Sequence, residues 1–213
     1  MARYKNGING PFSGKVGTVV GASWRGIDYV RSAGDTSKVN WSDAQVNQRL
    51  RFALVMNWLS PLLGLINIGY QLVKTKKTPL NAAVSYHLKE AVVGAAPDFA
   101  IDFVKAIFSI GELLGSFVRE MVCLSDQLLY MSWQNVAESI YSAATDRATV
   151  IVYNPSKRAF VTFKGEAGRG DMETLLQLPA TFAGDEVHAY MYFVCAAGDR
   201  VSTSVYLGMF EVQ

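Results

Sequence analysis

Residues 7–31 read GINGPFSGKVGTVVGASWRGIDYVR. This stretch sets six glycines (Gly7, Gly10, Gly14, Gly17, Gly21, Gly26) among small, β-branched and aromatic residues. Val16, Thr18 and Val20 alternate with Gly17, Val19 and Gly21, which is the period of a strand. Residues 23–26 have turn chemistry, and Ile27, Tyr29 and Arg31 then alternate with Asp28 and Val30. The result is a β-hairpin with one nearly bald face. Glycine weakens a strand unless a ring or another backbone must come close. That face is therefore expected to lie against something, either this chain's own helices or a neighbouring subunit.

The chain has 213 residues, half of them apolar and 18% charged, enough for a substantial core and too apolar for disorder. Cys123 and Cys195 sit in apolar runs without C-x-x-C spacing, so buried free thiols are expected, with one disulfide as the alternative. MARYKNGING has no apolar core of a secretory signal, and a cytoplasmic start is expected. Charge is divided unevenly. Residues 1–77 carry eleven Lys/Arg against Asp28, Asp35 and Asp43, a net +8, whereas residues 78–213 carry a net −6. Such a division suits an anionic partner for the first part, or a head-to-tail contact between copies.

MARYKNGINGPFSGKVGTVVGASWRGIDYVRS resembles the opening of an uncharacterised bacterial family, a domain of unknown function. Residues 45–52, 81–86 and 187–190 continue the resemblance along the chain. It implies a shared fold and brings no catalytic residues with it.

Past the hairpin, Trp41-Ser42-Asp43-Ala44-Gln45-Val46 combines a cap, a residue that can reach back and an apolar staple. The signals predict a helix over 43–59. Ser60-Pro61 and Thr78-Pro79 each pair a cap with proline at the first helical position, predicting helices over 61–73 and 79–93, the last ended by Gly94. Phe52 to Val73 is an uncharged run of 22 residues, long enough to cross a membrane. It holds Asn57, Ser60, Pro61, Asn67 and Gln71 and is flanked by basic residues on both sides, so two helices buried all round are expected instead. A strand is expected from Asp98. Seven strand-like runs then follow, at 116–124, 127–133, 147–153, 159–163, 172–178, 186–196 and 201–212. Seven short strands in about 100 residues is the count of an immunoglobulin-like sandwich. The pattern around residues 178–208 resembles fibronectin type III modules, and Trp133 stands where such sandwiches bury a tryptophan. His188, Tyr190 and Tyr192 fall on one face of the 186–196 strand, with Val187, Ala189, Met191 and Phe193 on the other.

Reactive constellations are missing from the sequence. His87 and His188 are the only histidines, and neither has a second ligand at metal spacing. No G-x-S-x-G elbow is present. Residues 10–16 imitate a phosphate loop, but they have too few residues between glycines and Val16 where Ser/Thr would hold magnesium. Asp98, Asp102 and Glu112 read as a solvated face. No catalytic, cofactor or metal residue is therefore assigned.

The expectation is an α+β chain: residues 1–110 form a basic domain with a β-hairpin and three helices, and residues 111–213 a seven-stranded immunoglobulin-like β-sandwich. It would be a non-enzymatic structural protein that self-associates into a filament, ring or virion-like shell, through Val16, Val19, Trp24, Leu62, Ile66 and Tyr70. Nucleic-acid binding through Arg3, Lys5, Lys15, Arg25, Arg31, Arg49 and Arg51, interleaved with rings, is the alternative. A glycan or small-ligand module using the sandwich loops is a third reading.

Overall fold

Tight turns build the N-terminal part of the protein. The computed structural model describes residues 3–4, 7, 10–34, 41–73 and 77–213, in two units, Met1–Ser42 and Asp43–Gln213. In the first unit, β1 (Arg3–Tyr4), β2 (Phe12–Val16), β3 (Val19–Trp24) and β4 (Ile27–Ser32) form an antiparallel sheet in chain order. Trp24 pairs with Ile27 around Arg25-Gly26, whose φ values of 51° and 81° are both left-handed. That is the turn whose twist suits a two-residue hairpin. The expected hairpin is thus part of a ribbon of four strands. Its bald face has a local cause at Gly21, where a Cβ would run into the carbonyl oxygen and ring of Phe12. Among the described residues of this unit, Gly21 alone is buried.

The second unit opens with α1 (Asp43–Leu59), a 3-10 turn at Ser60–Leu62 that carries Pro61, and α2 (Leu63–Gly69). By length and composition, Asp43–Gly69 would reach across a membrane, with a mean hydropathy of 1.5. In the fold it is two-faced. Val55, Trp58, Leu59, Leu62, Leu65 and Ile66 are buried, while Val46, Leu50, Phe52, Leu63 and Ile68 are exposed. The expectation of helices buried all round is corrected accordingly. The second helix ends at Gly69, not 73, because the chain there closes on the segment 108–110. Ile110 N–H donates to the Gly69 carbonyl at 2.9 Å, and a Cβ on Gly69 would collide with the Phe108 carbonyl oxygen. Gly69→Ala is expected to destabilise the protein by about 1–3 kcal/mol, read as a lower urea midpoint with unchanged slope.

α3 (Pro79–Glu90) starts as its sequence dictates, with the Thr78 hydroxyl accepting from Asn81 N–H at 3.3 Å and proline following the cap. It stops three residues before the expected end. Val92 and Val93 join β5 (Val92–Ala95), which pairs with β6 (Asp98–Ile101) around a two-residue turn. Gly94, with φ +90°, belongs to that hairpin and not to the helix end.

Seven further strands complete the unit: β7 (Phe117–Leu124), β8 (Leu128–Gln134), β9 (Arg147–Asn154), β10 (Ala159–Gly168), β11 (Glu173–Gln177), β12 (Glu186–Val194) and β13 (Val205–Glu211). They pair antiparallel in two sheets, β11-β8-β7 and β10-β9-β12-β13. Between the sheets lies one core, with Leu129, Met131 and Trp133 meeting Val150, Val152, Val187, Ala189, Met191 and Phe193. A second core lies on the opposite face of the four-stranded sheet. There Ile151, Tyr153, Tyr190 and Tyr192 pack with Trp58, Leu62, Ile66, Tyr70 and Phe108. The β12 side chains divide between the two cores by the period-2 rule.

The protein is therefore a mixed α+β chain, dominated by strands. Residues 43–110 and 111–213 share a core, so the boundary expected at 110/111 falls inside a unit, and the units meet at Ser42/Asp43. The same packing corrects three of the expected self-association residues. Leu62, Ile66 and Tyr70 are 3%, 0% and 1% exposed, covered by this chain's own sheet.

One end of the two packed sheets is tied by a buried ion pair. Arg169 Nε donates to Asp146 Oδ2 at 3.0 Å, both side chains being almost completely buried. The guanidinium also donates to the Leu114 carbonyl at 2.7 Å and Ser116 Oγ at 3.0 Å, and lies 3.9 Å from the Phe193 ring centroid. Its own carbonyl accepts from Trp133 Nε1 and Asn135 Nδ2.

Candidate functional site

Register places the ribbon's side chains on two faces. Lys15 pairs with Val20 and Val20 with Arg31, and Ala22 pairs with Tyr29 and Trp24 with Ile27. All share one face, since side chains directly opposite or two apart point the same way. Gly14, Val16, Val19, Gly21 and Val30 share the other. Trp24, Ile27, Tyr29, Val30 and Val16 are 54%, 63%, 44%, 61% and 46% exposed. Of the expected self-association residues, Val16 and Trp24 are thus exposed, on opposite faces, and Val19 is half-buried beside Val16.

The expected nucleic-acid contacts separate in the same way. Arg3, Lys15, Arg25 and Arg31 are exposed on the ribbon, and the Arg25 guanidinium lies 5.6 Å from the Trp24 ring centroid. Lys15 and Arg31 flank Val20 on the face that carries Trp24 and Tyr29. Lys5 lies outside the described residues. Arg49 is exposed on α1, in the other unit. Arg51 is corrected, because it donates to the Leu88 carbonyl at 2.7 Å and stacks over Phe99, which commits it to its own unit.

In the second unit, β7 and β13 are edge strands of the two sheets and leave an open seam between them. A groove of about 740 Å³ runs along it, lined by Phe117, Val118 and Met121 on one side and Val205, Leu207 and Met209 on the other. Phe117 is 77% exposed at its mouth. An edge strand presents unpaired backbone groups, and an apolar groove beside one is the setting in which an extended segment adds by strand pairing.

Both histidines are engaged in hydrogen bonds within the larger unit. His87 is completely buried; its Nδ1–H donates to the Ala83 carbonyl at 2.8 Å and Nε2 accepts from Ile107 N–H at 3.4 Å. His188 Nδ1 bonds the Tyr206 hydroxyl at 2.9 Å. Among the described residues neither hydrogen-bonds a serine or cysteine. Both cysteines are free and buried, and the disulfide alternative is not formed. Among the described residues no three His, Cys, Asp or Glu side chains gather as a metal site. The phosphate-loop imitation lies largely in β2, an extended strand.

Burial lowers the His87 pKa from its ordinary 6.5, opposed by the bond to Ala83. The unfolded chain then takes up a proton that the folded one refuses, so stability is complete above about pH 6.5 and declines as pH falls through the window below it. The urea midpoint is expected to drop between about pH 7 and 5.5. His87→Gln should reduce that dependence, leaving the share of His188, whose pKa burial also lowers.

The geometry defines a mixed α+β protein of two units, a thin exposed ribbon and a larger unit with sheets on helices. A family model described as a family of unknown function (DUF6266) matches residues 11–208, and the chain belongs to that family. No curated protein matches the chain.

Proposed function

We propose that this protein is a non-enzymatic structural subunit that assembles with copies of itself, the ribbon of one copy serving the seam of the next. The observation that carries the reading is the ribbon's composition against its burial. Among its described residues it exposes five large apolar side chains and buries only a glycine. A small sheet gains independent stability only when an apolar face is covered. Covering each such side chain contributes about 1.5–3 kcal/mol. β4 supplies an edge whose six residues are all exposed, and the groove between β7 and β13 supplies edges to receive it. A contact of this kind joins different surfaces on the two copies and propagates as a ring or filament.

The seven strands support an immunoglobulin-like reading of the larger unit. In that reading β7, β8 and β11, paired in the order β11-β8-β7, correspond to strands A, B and E, and β9, β12 and β13, in the order β10-β9-β12-β13, to C, F and G. Sandwiches of this class serve many roles, so the ribbon and not the fold argues for assembly.

A second reading rests on the face shared by Lys15, Arg31, Tyr29 and Trp24, where cations stand among rings as on single-strand nucleic-acid platforms. Light scattering of the full chain over a range of concentration and salt separates the two. Mass that rises with concentration supports assembly. A monodisperse monomer throughout removes it, and nucleic acid that co-purifies and is released by salt establishes the second reading instead.

A further inference from the structure

A second cavity, of about 400 Å³, opens between α1 and the turn joining β9 to β10. Its walls are rings. Tyr153 and Phe160 stand 4.5 Å apart by centroid, Phe103 is 5.2 Å from Tyr153, and Trp58 is 5.5 Å from Phe160. Two polar side chains, Asn57 and Arg158, join this lining. Among the described residues no acidic side chain does. An apolar cleft of this size with a few polar groups at defined points is the usual form of a small-ligand site.

One feature goes beyond packing. Arg158 has φ 50°, in the left-handed region that favours glycine, at the end of the β9–β10 turn. The chain thus holds an arginine beside the cavity at a position where glycine would be unstrained. Trp58, 92% buried, packs edge-on against Tyr153 with ring centroids 5.6 Å apart.

We infer that this cavity binds a small apolar carboxylate, an aliphatic or arylalkyl chain seated among Trp58, Phe103, Tyr153 and Phe160, its carboxylate paired with Arg158. The lining offers donors and a fixed positive charge, so the ligand supplies the acceptor and the negative charge. A cationic ligand would meet Arg158 with no carboxylate to offset it. A sugar would bury hydroxyls against rings that cannot satisfy them. The site lies wholly in the larger unit and is independent of the assembly reading.

Titration of the full chain with phenylbutyrate, followed by calorimetry and by Trp58 fluorescence, tests the inference. Saturable binding is expected below about 1 mM, with the uncharged phenylbutyramide at least about tenfold weaker. Arg158→Gly should weaken phenylbutyrate at least about tenfold while leaving the melting temperature equal or higher, since glycine relieves the positive φ. Asn57→Asp should weaken it as well, by placing a like charge beside the carboxylate. Absence of saturable binding, equal affinity for acid and amide, or unchanged affinity in Arg158→Gly would each overturn the assignment.

Discussion

Arg169→Ala is expected to lower the unfolding free energy by about 3–5 kcal/mol, a large fraction of what a domain of this size has to lose. The substitution leaves Asp146 charged and buried, and leaves the Leu114 carbonyl and Ser116 hydroxyl without their donor. It also opens a void against the Phe193 ring, 3.9 Å away. Burial lowers the guanidinium's pKa while Asp146 raises it, so the pair survives only while both members are present. The paired replacement Arg169→Met with Asp146→Leu is therefore expected to be less damaging than Arg169→Ala alone, because no charge is then stranded. Urea titrations of the three proteins check this. A loss below about 1 kcal/mol for Arg169→Ala would mean that water reaches the pair.

Trp24→Ser with Ile27→Ser is expected to dissolve the proposed assembly. These side chains pair across the turn at the tip of the ribbon and are both more than half exposed. Removing two apolar contacts worth about 1.5–3 kcal/mol each weakens association by about two to four orders of magnitude. The melting temperature of the larger unit should not move, because Trp24 and Ile27 belong to neither of its cores. Sedimentation of the variant beside the parent reads the first quantity and calorimetry the second. Met209→Lys, in the opposite wall of the contact, should reproduce the loss. Association that persists in both variants would place the interface elsewhere.

What could be read from the sequence follows the range of the interactions. The α3 start at Thr78-Pro79 was legible because a cap and a proline act within one turn of the chain. The division of β12 into Val187, Ala189, Met191 and Phe193 against His188, Tyr190 and Tyr192 was legible because strand period is local. Tertiary partners were not. Leu62, Ile66 and Tyr70 read as surface for another copy because nothing nearby in sequence covers them, and their partners Ile151 and Tyr190 lie more than 80 residues away. The same separation hid the cavity, whose rings come from three distant places in the chain, Trp58, Phe103 and the Tyr153–Phe160 hairpin. Gly168-Arg169-Gly170-Asp171 has turn composition, so the buried role of Arg169 depended on Asp146, Leu114 and Ser116, which only the fold brings near. The ribbon was the reverse case. Its turn at Arg25-Gly26 was legible, but the strand read through residues 16–21 is broken by a turn at Gly17-Thr18, and Pro11-Phe12-Ser13 carried too little alternation to reveal β2, whose Phe12 is the ring that Gly21 accommodates.

The four-stranded sheet has a covering on each side, which is why seven consecutive residues of β9, Ala148 to Asn154, are all buried. A sheet enclosed twice couples whatever lies above it to whatever lies below. Helices and sandwich should consequently melt together, in one cooperative transition, with far- and near-ultraviolet signals superimposable. A fragment cut at residue 111 would present Tyr153, Tyr190 and Tyr192 to water as a bare aromatic platform, and precipitation of that fragment is the outcome this arrangement dictates.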